Sequence, residues 1–263
     1  ATAYVERVVE HIDLAAVLCA EQVADRSGVV LRPTQTVAEA RTGAAAGRGG
    51  VLAFVAVGTG IAAGLVIGVA DDPGMHSSQN EQDSRRYAIA AKLPMVEPAD
   101  SAECVAYTKA AYDLSERFDT PVLLRMTTRA SHSRGIVETG ERTEREILPY
   151  VKDPAKYVMM PANARKRHVV VEEHLAALRA FAETTALNRV ETNEGATVGV
   201  ITSGNAYNYA REVFGDTASY LKLGLIFPMP ERLIRDFAAR YRTSLTSTAS
   251  SRGARRAPRG SRR

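Results

Sequence analysis

The chain has 263 residues, enough for one large domain or two small ones, with 45% apolar residues to build a core and an ordinary 24% charged. Its formal net charge of +4 is not a nucleic-acid-binding signature, because residues 243–263 hold six arginines and no acid, and the remainder is slightly acidic. Two distant cysteines, Cys19 and Cys104, with no Cys-x-x-Cys spacing, exclude a zinc or iron–sulfur ligand set built from this sequence and fit a reducing cytoplasm.

Residues 14–57 are rich in Ala, Gly, Val and Arg and show poor helical or strand periodicity. Residues 51–70 are uncharged and mostly apolar, long enough for a membrane span. Gly58, Gly60, Gly64 and Gly68 interrupt any helical run, and the segment stops abruptly at Asp71-Asp72-Pro73-Gly74. That ending belongs to a buried parallel strand at its carboxyl end, so residues 64–70 are read as a strand, with a membrane anchor as the alternative.

A loop over residues 71–80 follows. Ser78 and Glu81 have capping-box spacing and predict a helix running to Lys92, closed by Pro94. Residues 95–96 are a candidate short strand. Asp100 and Glu103 repeat the capping spacing, and Tyr107, Ala111, Leu114 and Phe118 fall on one face of the helix they open. Residues 122–126 read as a buried strand and 127–135 as a polar loop.

Residues 138–163 form a charged connector, and 165–185 a helix. A second unit has strands at 198–201 and 220–223, a turn at Ser203-Gly204-Asn205, and helices at 206–214 and 230–241. Alternating strands and helices predict an α/β fold, a parallel sheet with helices on both faces. Residues 243–263, Ser/Arg/Gly-rich and almost without apolar side chains, are expected to be disordered.

Open parallel sheets bind ligands outside the carboxyl ends of their strands. Two loops leave such ends, residues 71–83 and residues 127–134, and each carries one histidine, His76 or His132. A helix cap and a turn explain Ser78, Glu81 and Asp72-Pro73-Gly74. They leave His76, Ser77, Gln79 and Asn80 unexplained. In the second loop, weak surface pairing is the stronger reading of Arg129 and Arg134. No Gly-x-Gly-x-x-Gly or phosphate-loop pattern is present.

The segment ADDPGMHSSQNEQDSR, residues 70–85, resembles the signature of the alpha subunit of indolepyruvate:ferredoxin oxidoreductases, which are thiamine-diphosphate-dependent. The likeness continues through FDTPVLLRMTTRASHSRG, TSGNAYNYAREVF and LKLGLIFPMPERLIRDFA, and covers roughly residues 58–241. It implies a degraded N-terminal part at 1–57 and a pyrimidine-type thiamine-diphosphate domain at 58–140. A connector with a helix at 141–196, the start of a transketolase-C-terminal-like α/β domain at 197–242 and a basic tail at 243–263 would follow. The family oxidatively decarboxylates arylpyruvates, chiefly indolepyruvate, to the aryl-acetyl-CoA. Electrons pass through iron–sulfur clusters to ferredoxin, and a small beta subunit completes the heteromer.

In that frame His76 is expected to serve proton transfer. Ser77, Ser78, Gln79, Asn80, Glu81, Asp83, Arg129 and His132 are expected to bind substrate or cofactor. No protein ligand to a metal is expected. The magnesium and diphosphate ligands, the iron–sulfur cysteines and the glutamate that activates the aminopyrimidine are not found; Glu21 only loosely imitates that glutamate. Residues 14–57 and the stretch after 241 depart from the family as reading-frame errors would, and the chain alone is expected to be inactive. A catalytically incompetent assembly module, or a related enzyme for another 2-oxoacid, are the alternatives. The expected partners are the beta subunit, ferredoxin, coenzyme A and a 2-oxoacid, with neither nucleic acid nor membrane, in the cytoplasm.

Overall fold

The structure is a computed structural model that describes residues 64–75, 79–138, 140, 152–241 and 243–247. Its first sheet follows the predicted alternation. Strand β1 (Val66–Asp71) leads to helix α1 (Arg85–Ala91), strand β2 (Met95–Val96), helix α2 (Ser101–Phe118) and strand β3 (Val122–Thr127). The spatial order is β1-β3-β2-β7, where β7 is the later strand Leu225–Phe227, with β3 parallel to both β1 and β2.

Side chains alternate across a strand, and here the alternation sends helices to both faces. Met95 and Leu123 pack with Ala88 and Ala91 of α1. Val96, Val122 and Leu124 pack with Tyr107, Ala111, Leu114 and Phe118 of α2, the four residues predicted to share one face. The cap of α2 is as expected: Asp100 accepts the Glu103 N–H at 2.9 Å. The Glu103 carboxylate accepts the Ala99 N–H at 2.8 Å, one residue before the N-cap.

Helix α1 begins later than its predicted start. Ser78 lies outside the described residues, and Glu81 and Asp83 precede the helix. The position before the first turn belongs to Ser84, whose N–H and hydroxyl both donate to Asp71, at 2.9 and 2.5 Å. Two charge-assisted bonds to a buried carboxylate hold Ser84 at the start of the helix. After β3 the predicted polar loop opens with a short helical turn, α3 (Thr128–His132). Helix α4 (Pro154–Tyr157) precedes the long α5 (Pro161–Ala182), which presents Leu178, Phe181 and Ala182 to the α2 side of the sheet. Pro161 at the first helical position of α5 has no N–H to leave unpaired.

The second sheet has the order β4-β6-β5-β8. It contains β4 (Asn188–Glu191), β5 (Val198–Ser203), β6 (Ala218–Leu223) and β8 (Thr243–Ser247), with helix α6 (Gly204–Phe214) between β5 and β6. Strand β8 corrects the expectation of disorder for residues 243–247: its backbone pairs in parallel register with β5. Main-chain pairing needs no apolar side chain, so a composition argument does not detect it. Residues 248–263 lie outside the described residues. So do residues 1–63, and with them residues 14–57, Cys19, Glu21 and most of the apolar stretch 51–70. The described end of that stretch enters strand β1. No helix among the described residues is long and apolar enough to cross a membrane.

The chain passes from one sheet to the other at Gly224. Its N–H donates to the carbonyl of Leu187 and to Asn188 Oδ1, both at 3.0 Å. A Cβ there would stand 2.4 Å from the Leu187 carbonyl, so only glycine fits the crossing. Strand β7 (Leu225–Phe227) then adds antiparallel to β2, before helix α7 (Glu231–Ala239). One core cluster joins Leu93, Met95 and Leu123 of the first sheet to Ile201, Leu221 and Leu223 of the second, with Phe237 of α7 among them.

Candidate functional site

The carboxyl ends of β1, β2 and β3 carry a buried ion network. Arg125 is 0% exposed, and its guanidinium reaches Asp71 (2% exposed) and Glu97 (1% exposed), each at 2.5 Å. Buried charges are tolerated only when paired and hydrogen-bonded. Here one cation faces two carboxylates, and each carboxylate has a second partner. Asp71 also takes the N–H and hydroxyl of Ser84, and Glu97 takes the Ser203 hydroxyl at 3.0 Å. Arg125 Nη2 is buried with no hydrogen-bond partner among the described residues.

This network fixes the base of the histidine-bearing loop. Asp71 stands at its start and Ser84 at its end, so their two hydrogen bonds close the loop at its stem. Asp83 lies just inside and pairs with Arg85 at 2.7 and 2.9 Å. Burial opposes its ionisation, but the hydrogen bond and charge of Arg85, helped by the charge of Arg125, hold the carboxyl below its ordinary value. On the other flank Glu97 packs against Gly204, which opens α6 with a positive φ. A Cβ at Gly204 would lie 2.5 Å from Glu97 Oε1.

A row of neutral polar groups continues from the network. The Thr128 hydroxyl donates to Asp72 at 2.7 Å, and the Thr127 hydroxyl donates to Asn205 Oδ1 at 2.9 Å. The amides of Asn205 and Asn208 both donate to the carbonyl of Ala99, at 2.7 and 3.1 Å. Beyond this row is an open groove of about 560 Å³. Its walls are the first turn of α2 (Asp100 to Ala102), the first turns of α6 (Asn205, Asn208, Tyr209), and the chain after β3, where Arg129 and Arg134 line it.

The structure distributes the sequence-predicted residues unevenly. His76, Ser77 and Ser78 lie outside the described residues. Gln79, Asn80 and Glu81 are exposed, Asp83 is half-buried, and none of these four lines the groove. Arg129 lines it, and His132 is exposed at the end of α3 without lining it. The two loops meet at their stems, where Thr128 of the second bonds Asp72 of the first. The buried members Glu97, Arg125, Ser203 and Asn205 were not singled out from sequence. The available signal was an arginine within the apolar run VLLRM, which a buried strand accepts only with a carboxylate nearby. Among the described residues no group of three or more His, Cys, Asp or Glu is placed to hold a metal ion.

No protein-family model matches the chain. Curated relatives do. Indolepyruvate oxidoreductase subunit IorA of Methanothermobacter thermautotrophicus is 44% identical over 184 residues, 68% of this chain and 30% of the relative. The chain is a partial relative of indolepyruvate oxidoreductase subunit IorA. The Thermococcus kodakarensis subunit is 42% identical over 191 residues, and that of Archaeoglobus fulgidus 40% over 188. The chain spans about 30% of the length of each of these three relatives. A solved 2-oxoglutarate:ferredoxin oxidoreductase from Magnetococcus marinus aligns with a TM-score of 0.49 at 16% identity, covering 74% of this chain and 44% of that one.

Proposed function

We propose that this chain is a segment of the alpha subunit of a 2-oxoacid:ferredoxin oxidoreductase. The enzyme would convert arylpyruvates, chiefly indolepyruvate, to the aryl-acetyl-CoA and pass the electrons to ferredoxin. The observation that carries the proposal is the 40–44% identity to IorA subunits over 184–191 residues. In this reading residues 58–140 are a pyrimidine-type domain and residues 197–242 begin a transketolase-C-terminal-like one, with 141–196 connecting them. Coenzyme A, ferredoxin and a small beta subunit act with the intact enzyme in the cytoplasm.

Thiamine diphosphate is the cofactor implied by this reading. The described residues do not fit its magnesium-diphosphate half, because they offer no cluster of ligating side chains. No chemical step is therefore assigned through it. The chain's own contribution is the loop between Asp71 and Ser84, whose stem is fixed by buried charge. His76 would hydrogen-bond to, or exchange a proton at, the keto oxygen of the substrate. Ser77, Ser78, Gln79 and Asn80 would orient the substrate by neutral hydrogen bonds, with Glu81, Asp83, Arg129 and His132 around them.

The test uses a full-length subunit containing this segment, assembled with the small subunit. Indolepyruvate-dependent reduction of a viologen dye is followed with coenzyme A present. His76→Ala is expected to lower kcat by about 100-fold, the typical contribution of a positioned proton-transfer group, with KM little changed. Unchanged turnover would remove His76 from the site. Failure of the unmutated enzyme to reduce the dye with any 2-oxoacid would defeat the proposal as a whole.

A further inference from the structure

We propose that the outward face of α5 pairs with the same face of a second copy of this chain, the two helices running antiparallel about a two-fold axis at Val169. This goes beyond the decarboxylation reading, because no residue of that face belongs to the loop between Asp71 and Ser84 or to the groove. Helix α5 turns Leu175, Leu178 and Ala182 toward the protein. Its opposite side is bare: positions 162, 165, 166, 169, 172, 173 and 176 are all exposed, Val169 to 57%. At 3.6 residues per turn these positions form one stripe along the helix.

The stripe is its own complement. Lys166 and Glu172 each lie three residues from Val169, Arg165 and Glu173 four, and Ala162 and Ala176 seven. An antiparallel copy crossing at Val169 therefore sets Lys166 against Glu172, Arg165 against Glu173 and Ala162 against Ala176, and symmetry repeats each pair. The same charges are badly placed for their own helix. Intrahelical partners stand three or four residues apart. Those positions hold no acid for Arg165 or Lys166 and no base for Glu173. None of the three forms an ion pair among the described residues, whereas Glu172 already bonds Lys92. A purely acidic partner would leave Glu173 unanswered, and a purely basic one Arg165 and Lys166; a copy answers both signs. The alanines only let the helices approach to about 8–10 Å between axes. Residues 162 to 176 span about 21 Å of helix, a small contact, so the dimer is concentration-dependent and, resting on exposed charge, weakened by salt.

Sedimentation velocity on the full chain should show a monomer–dimer equilibrium that shifts toward monomer as salt is added. R165E and E173R each set like charges face to face twice in a homodimer, so each alone should raise the dissociation constant by about tenfold or more. Mixed in equal amounts, the two variants should dimerise again, because one copy then carries only acids at the two positions and the other only bases. That recovery is specific to the antiparallel register. Both positions are exposed, so each variant should keep the wild-type melting temperature. If either melts earlier, R165Q and E173Q take their place; each should weaken the dimer, and mixing should recover part of the loss. A chain that stays monomeric at high concentration, a dimer indifferent to these variants, or no recovery on mixing overturns the proposal. A monomeric chain whose R165E variant no longer binds the small subunit would give the face to that subunit, which also overturns it. The dye-reduction assay depends on other residues, so the two proposals fail separately.

Discussion

Arg125 is the side chain on which the strand ends depend. It occupies the fourth position of β3, inside a run of buried apolar residues, and neutralises Asp71 at the end of β1 and Glu97 just after β2. Removing one partner of such a buried network leaves unpaired charge in a poor dielectric. Arg125→Met keeps much of the volume and should cost about 3–5 kcal/mol by that principle, measured from urea unfolding. If the cost is electrostatic, R125M/D71N/E97Q should be more stable than R125M alone. A variant equal to wild type would show that the network contributes nothing net. Asp71 and Asp72 stood out in the sequence as a strand end and turn. Their true partner was not legible, because Arg125 is 54 residues away from Asp71 and only the parallel register of β1 and β3 brings them together.

At the scale of the elements, Glu103 and Lys222 join the first turn of α2 to the middle of the second sheet. Lys222 is fully buried on β6, hydrogen-bonded to Glu103, with its ammonium 4.6 Å from the Tyr207 ring centre. Burial pushes its ammonium below the ordinary lysine value, and the hydrogen bond and charge of Glu103 partly restore it. Glu103→Gln should therefore cost about 3–5 kcal/mol, because it leaves a buried cation unmatched. E103Q/K222M should cost less than E103Q alone, and a simply additive double-mutant cycle would show that the two groups do not interact.

The capping of α2 was legible because Asp100 and Glu103 act within one turn. So were β1, β3, β5 and β6, whose apolar runs are bounded by turns. Strands β4, β7 and β8 were not. Asn-Arg-Val-Glu is an edge strand with two exposed residues at its centre, and Leu-Ile-Phe has only three residues. Strand β8 has no apolar run at all. Such strands exist because a neighbour offers backbone partners, and that is a property of the assembled sheet. The groove was hidden for a similar reason: its walls come from three separated segments.

For the molecule as a whole, the decisive feature is the crossing at Gly224. The chain leaves β6 in the second sheet and enters β7 in the first without an intervening linker. Asn188, at the start of β4, binds the N–H groups of both Gly224 and Leu225 at 3.0 Å and so holds the crossing from the second sheet. The core beneath it draws Met95 and Leu123 from one sheet and Ile201, Leu221 and Leu223 from the other. Unfolding one sheet therefore exposes the apolar surface of both. Two domains joined only by a linker would unfold separately, but a shared core couples them. Urea unfolding should accordingly give one transition, with the same midpoint from backbone circular dichroism and from tyrosine fluorescence. Asn188→Ala removes the acceptor of both crossing N–H groups and should move that single midpoint to lower urea without splitting it, at a cost of about 1–3 kcal/mol for the buried donors left unpaired. Two separate midpoints in the unmutated chain would mean that the sheets fold independently and that their shared core does not couple them.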